Sequence, residues 1–425
     1  MRMTLVSLRN TALVSALALS LAAPRSLMAQ RDARVRLTLV DAVTLARARH
    51  PALAAASARR QGAVALALQE SAFPNPVFAW RRENLGSPLS RDAFYTVAQP
   101  IDLTGRRLAL HAGARDLDRR ALADSTAAMR DVEAGAARAF WRASLAGALL
   151  TLSEAQRLDA ERLARVEADR AREGAVAEVA AMRTSVEYDR ARVAEASARA
   201  EWMQALADLA RTIGVRPDSL PPVDAMAASL PRFDAAPSAD ALLARALARR
   251  SELAALRAAH DAARRRVSAE QRGVLSDVVL EAGTKQTAGY TTRVIGVAVP
   301  LPLFSRNTAA RDRASAELQL VEAELRATEQ TVRAQVAAAL ESYRALLAAQ
   351  PAGADSLVTR AAEVARIADA AYAAGGGSLL ELLDARRART ETLAAVLRWV
   401  ADVRLAHLEL LRAVGASPLD SMELP

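Results

Sequence analysis

The chain is predicted to be mainly α-helical with a small β part, built as two tandem repeats of helix, β-hairpin and long helical hairpin. Three observations predict it. Alanine, leucine, arginine and glutamate dominate a composition that is only 4% aromatic, a usage that marks long helices and coiled coils. The chain repeats itself at a spacing of about 200 residues. Long proline-free stretches, such as the one between Pro100 and Pro217, carry apolar residues at helical spacing.

Residues 1–29 read as a secretory signal peptide. Arg2 and Arg9 precede an apolar run from Thr11 to Ala23, with a cleavage point after Ala29. The run is too short for a transmembrane helix of about 20 residues. The chain has no cysteine, which excludes disulfides, thiolate chemistry and an N-terminal lipid on cysteine. The net charge of +9 does not point to nucleic acid. Lys285 is the only lysine, and the arginines alternate with acids, as from Asp159 to Arg172; this reads as a charge-laced solvent face.

Three anchors carry the repeat. LARARHPAL around Leu53 matches LARRSEL around Leu253. QPIDLTGRR with Pro100 matches VPLPLFSRN with Pro300. LARTIGV with Gly214 matches LLRAVGA with Gly415. The expected first repeat is 30–216 and the second 238–416, joined by a Pro-rich linker at 217–237 and followed by a tail at 417–425.

Each repeat opens with a helix, Leu37 to Ala72 and Ser238 to Arg272. Two short strands follow, at 76–82 and 94–101, then at 278–284 and 292–301. Turn-forming residues link them, Asn84 to Pro88 and Gln286 to Tyr290. The helical pattern then resumes. In the second repeat Leu318, Val321, Leu325, Val332, Val336, Leu340, Tyr343 and Leu347 form a coiled-coil-like seam. The rod from Gly105 to Arg172 would span roughly 100 Å. Glycines interrupt each rod once, at Arg172–Gly174 and at Gly375–Gly377, and are read as hairpin tips. Pro351 and Gly353 break the outgoing rod of the second repeat.

Four short strands cannot close a barrel, and an open sheet has edges that a membrane does not tolerate. Three copies would supply twelve strands, enough to enclose a pore. Strands of roughly 8–10 residues suit a tilted crossing. Phe78, Trp80, Phe94 and Tyr95 are expected near strand ends or on one face, as interfacial aromatics.

The layout resembles the TolC family of outer-membrane factors over nearly the whole chain after the signal peptide. The resemblance rests on LTLVDAVTLARARHPALAAA, on AQPIDLTGRR and on AYAAGGGSLLELLDARR from Ala371 to Arg387. The second stretch is more similar to the heavy-metal, CzcC-like branch serving resistance–nodulation–division pumps. The resemblance implies a trimeric 12-stranded outer-membrane β-barrel continued by a periplasmic α-helical barrel. It implies passive efflux in a tripartite pump with a periplasmic adaptor and an inner-membrane resistance–nodulation–division transporter. The same fold would serve a type I protein secretion system; a soluble periplasmic coiled-coil scaffold is the reading from another class.

The resemblance also implies site residues. Glu381 and Asp384 would form acidic rings at a periplasmic gate, where rings of like charge admit cations and mutual repulsion raises pKa values. Tyr372 matches a tyrosine of the family's gate-locking network. Two positions depart from that network: Gly377 stands where the family has an arginine, and Ala180 where its acid partner lies. The tips at Gly174, Ala175 and Val176, and at Gly376, Gly377, Ser378 and Leu379, would dock the adaptor. No catalytic group, metal or cofactor is expected. His50, His111, His260 and His407 stand singly, none at a two-histidine metal spacing, and His50 is read as a helix-surface residue.

Overall fold

The computed structural model describes residues 36–85, 91–223, 226, 238–275, 277–349 and 354–420. The expected signal peptide, most of the Pro-rich linker, Gly86 to Pro88, and Pro351 with Gly353 lie outside these residues.

The first module opens with α1 (Leu39–Arg49) and α2 (Pro51–Ser71). This corrects the single helix expected over 37–72. Pro51 drives the preceding residue out of the helical region, and His50 sits extended at φ −69°, ψ 124°. His50 is therefore a cap between helices: its ring Nδ1 accepts the Ala52 N–H at 3.2 Å. At the other end Thr38 and Asp41 form a capping box that fixes the start of α1. The second module shows the same break between α5 (Ala239–Arg249) and α6 (Ser251–Arg272) without a proline. Here the Arg250 guanidinium reaches Gln335 at 2.8 Å and the Ala413 carbonyl at 3.3 Å, while pairing with Glu252 at 3.0 Å. Tertiary contacts hold this kink.

One antiparallel sheet in the order β1-β2-β3-β4 joins the modules. The strands are β1 (Val77–Glu83), β2 (Asp92–Ile101), β3 (Val278–Thr287) and β4 (Tyr290–Ala298). The second hairpin is tighter than expected. Thr287 pairs with Tyr290, leaving two turn residues, Ala288 at φ 50° and Gly289 at φ 88°, the backbone of a twist-compatible hairpin turn. β4 stops before Pro300, which has no ladder donor.

The rods follow: α3 (Arg106–Arg172), α4 (Glu178–Ile213), α7 (Thr308–Ala348), α8 (Ala354–Ala373) and α9 (Leu379–Ala413). At 67 residues α3 is roughly 100 Å long, and it packs on α2, α4, α6 and α9. Its alternating charges do not all face solvent, as had been expected. Glu133 and Glu167 are fully buried, and each is compensated by arginine: Glu133 by Arg47 at 2.6 Å and Arg130 at 3.0 Å, Glu167 by Arg170 at 3.2 Å.

Each module closes on itself at a left-handed glycine. Gly214 (φ 70°) ends α4 against the Arg49 carbonyl, and Gly415 (φ 74°) follows α9 against the Arg249 carbonyl. A Cβ at either site would lie 3.1–3.2 Å from those oxygens. The cores are Val43, Val132, Phe140, Leu209 and Ile213 with their neighbours in one module, and Leu242, Val332, Leu340, Val403 and Leu410 in the other. Along the expected α7 seam, Val332, Val336, Leu340 and Tyr343 are buried, whereas Leu318, Val321 and Leu325 are half-exposed in the single subunit.

Candidate functional site: the helical tips and the open sheet

The sheet register sorts side chains onto two faces. Phe78, Trp80, Tyr95, Val97, Leu280, Ala282, Ile295 and Val297 share one face. Most of its large side chains lie open, Ile295 at 84% and Trp80 at 57% exposure. The other face carries Arg81, Glu83, Asp92, Thr96, Glu281, Lys285 and Thr292. Phe94, near the start of β2, belongs to this polar face, whereas Phe78, Trp80 and Tyr95 share the apolar one. The Arg81 guanidinium lies 4.6 Å and the Lys285 ammonium 5.0 Å from its ring centre. β1 and β4 are both edge strands.

A collar couples sheet to rods, and it gives AQPIDLTGRR a physical role. Asp102 accepts the Thr104 N–H at 2.9 Å and the Arg107 N–H at 2.6 Å, starting α3. Arg107 then pairs with Asp277 ahead of β3 at 2.6 Å. Arg106 pairs at 3.0 Å with buried Glu270 of α6, which also accepts Asn307 at 3.0 Å.

At the far end of the rods the two tips differ. In the first, Gly174 takes φ 74°, the Ala175 N–H returns to the Arg170 carbonyl at 2.8 Å, and Ala177 starts α4 with no side-chain cap. In the second, Gly375 takes φ 78°, and the Gly376 and Gly377 N–H groups both return to the Ala371 carbonyl. Ser378 and Glu381 then form a capping box at the start of α9, with Ser378 N–H to the Glu381 carboxylate at 2.9 Å. Gly174, Ala175, Gly376 and Ser378 are exposed; Val176, Gly377 and Leu379 are half-buried.

Within one subunit the two acids expected at a gate have different surroundings. The Glu381 carboxylate is engaged by Ser378, whose backbone N–H and then hydroxyl hold it below the ordinary glutamate range. Asp384 is exposed in a groove between α4 and α9, lined also by Arg183, Arg190, Arg387, Met182 and Leu380.

Tyr372 does join the two hairpins, through partners the sequence reading missed. Its hydroxyl accepts from Arg170 at 3.4 Å, and the Arg170 guanidinium lies 5.7 Å from its ring centre. Burial first, and the adjacent Glu167 carboxylate second, push its hydroxyl up. A second tie runs from Arg387 of α9 to Glu187 of α4 at 3.2 Å. Ala180, the position expected to lack its acid, is not where the hairpins meet electrostatically. Glu167 lies in the charge-alternating stretch, and no local signal marks it as buried.

Taken together, the chain is a four-stranded sheet with one apolar face and open edges, carried on paired rods. Residues 242–416 match the family model described as outer membrane efflux protein. No curated protein matches the chain. Among solved structures, CusC is similar at 18% identity and a TM-score of 0.74, over 90% of this chain and 93% of that one. VceC from Vibrio cholerae is similar at 19% and 0.73, over 89% and 96%. CmeC from Campylobacter jejuni is similar at 15% and 0.76, over 90% and 87%. At these identities the structures establish the fold. The family match thus rests on the second module, and the solved structures extend the fold to nearly the whole chain.

Proposed function

We propose that three copies assemble into a twelve-stranded barrel and a helical tunnel, the passive exit duct of a tripartite efflux pump. The observation that carries this is the open sheet. Its apolar face has no cover among the described residues, and its two edge strands have unpaired backbone groups that a bilayer would not tolerate. Pairing β4 of one copy with β1 of the next removes both edges, and the polar face then lines the pore.

A periplasmic adaptor docks on the tips, at Gly174, Ala175 and Val176 and at Gly376, Gly377, Ser378 and Leu379. An inner-membrane resistance–nodulation–division transporter supplies the energy; the AQPIDLTGRR exit supports the heavy-metal branch. The gate is the second tip. Threefold symmetry brings the Glu381 and Asp384 carboxylates around the mouth, and Tyr372 with Glu167 and Arg170 ties the second hairpin to the first in the resting state.

Single-channel conductance in a planar bilayer tests this, comparing wild type with Glu381→Gln/Asp384→Asn. Glutamine retains the capping geometry at the start of α9, so the variant removes charge without removing the cap. The wild type should show a small cation-selective conductance, and the variant a larger, less selective one. An unchanged conductance would remove the gate assignment and keep the channel. A folded trimer that conducts in neither form would overturn the channel.

A further inference from the structure

The sheet treats its cations differently on its two faces. On the polar face Arg81 pairs with Glu83 at 3.2 Å and Lys285 with Asp92 at 2.8 Å. On the apolar face the strand cations are Arg82 and Arg293. Both are exposed, and among the described residues neither has a hydrogen-bond or ion-pair partner. They sit at the rim away from the helices: Arg293 lies level with Tyr95 and Trp80, and Arg82 one step beyond. With the helices periplasmic, this rim lies in the outer leaflet.

Arg82 is on β1 and Arg293 is on β4, the two strands that meet between copies. The internal repeat supplies their register. Val97 pairs with Phe78 in the first hairpin, and Val297 pairs with Leu280 in the second, so Val297 stands for Val97 and Leu280 for Phe78. The joint between the modules pairs Val97 with Ala282, two residues beyond Leu280. The same joint between copies pairs Val297 with Trp80, and therefore Ile295 with Arg82. Arg82 of one copy is then the diagonal neighbour of Arg293 of the next, about 7–8 Å away on the same face. From backbone positions that close, two long guanidinium side chains with no acid between them repel each other and can reach one bridging anion.

Resting on the channel reading above, we infer that each seam between copies binds the phosphate of an outer-leaflet glycolipid of the lipid A type. The phosphate lies between Arg82 of one copy and Arg293 of the next, where guanidinium offers paired donors to phosphate oxygens. The acyl chains lie on Phe78, Ile295 and Val297, and Trp80 sits at the boundary between headgroup and chain, where aromatic side chains with one polar end collect. A seam repeated three times gives three such sites per trimer.

Native mass spectrometry of the detergent-extracted trimer tests this, with lipid A or phosphatidylethanolamine added. The variants are Arg82→Gln/Arg293→Gln and, on the pore face, Arg81→Gln. All three positions are exposed, so folding is retained, and trimer mass reports assembly directly. The wild type should retain up to three lipid A molecules per trimer in preference to phosphatidylethanolamine. The double variant should bind about tenfold more weakly or worse, Arg81→Gln should bind as wild type, and millimolar inorganic phosphate should not displace the lipid. Equal retention by the double variant overturns the site. Equal loss in Arg81→Gln reduces it to net charge. Displacement by inorganic phosphate alone reduces it to a free-anion site. A trimer that retains no lipid A sinks this inference and leaves the channel standing; a chain that forms no trimer sinks both.

Discussion

The two modules bury the same positions, but fill several of them with different residues. Ala42, Ala46, Val132, Ala136, Phe140 and Ala143 are buried in the first module. Leu242, Ala246, Val332, Val336, Leu340 and Tyr343, each 200 residues further on, are buried in the second. Beyond the tips the spacing becomes 201, as Leu209 and Ile213 give way to Leu410 and Val414. Backbone geometry decides which positions face inward, and close packing constrains the volume that a layer holds more than each residue in it. One layer shows the redistribution well. Tyr343 lies beside His407 in α9, with ring centres 5.8 Å apart, whereas the equivalent positions of the first module, Ala143 and Leu206, are aliphatic and belong to its core. The second module has placed a titratable pair where the first has an aliphatic one.

The largest way to break the equivalence is to empty the second layer. Tyr343→Ala should cost about 3–5 kcal/mol in urea denaturation followed by helical circular dichroism, as for other buried aromatic truncations. Leu340→Phe/Tyr343→Ala/His407→Leu installs the first module's set and should recover more than half of that loss. If the triple variant is no more stable than the single one, the two layers are not interchangeable.

Acid should separate the modules next. Burial pulls the His407 imidazole down from 6.5 to about 4. Its folded pKa lies below its unfolded one, so its stabilising contribution is complete above pH 6.5. It is lost as pH falls toward 4, because only the unfolded state takes up the proton in that window. The loss amounts to about 3 kcal/mol by pH 4. His407→Leu should flatten this limb of the stability curve between pH 6.5 and 4, and an unaltered acid limb would show that carboxylates elsewhere control it.

The tips give the smallest and most local contrast. Ser378→Ala removes the cap of α9 and should cost about 1 kcal/mol, read as roughly fivefold faster amide exchange at the start of that helix. Ala177→Ser adds the missing cap to α4, and its first amides should slow by a comparable factor. No change at either tip would mean that the hairpin turns, rather than the caps, hold these ends.

Much of this architecture is legible in the sequence. The glycines at 174 and 375 and the ends at 214 and 415 were readable because a left-handed residue is a local demand that few residues meet. Pro51 also advertises the break between α1 and α2, although the continuous apolar pattern hides it. The matching break at Arg250 has no local mark, since its stabilising partners, Gln335 and the Ala413 carbonyl, lie far along the chain. The face that Phe94 takes is hidden for a related reason. Alternation along one strand gives two sets of residues, but strand bounds and cross-strand register decide which partners each set meets.

The candidate site divides the same way. Glu381 is legible as a capping residue from Ser378 three positions earlier. Its role as an acid in the gate depends on symmetry between copies. Glu167, Arg170 and Glu187 meet Tyr372 and Arg387 across roughly 200 residues of chain, and in the sequence they look like any other charges on a helix. The sequence by itself determined the repeat, the helices, the strands and the turns, because periodicity, proline and glycine act within a few residues. Tertiary structure decided which acids are buried, which face of the sheet is apolar and which hairpins touch. Those outcomes depend on burial and register between segments that only folding brings together.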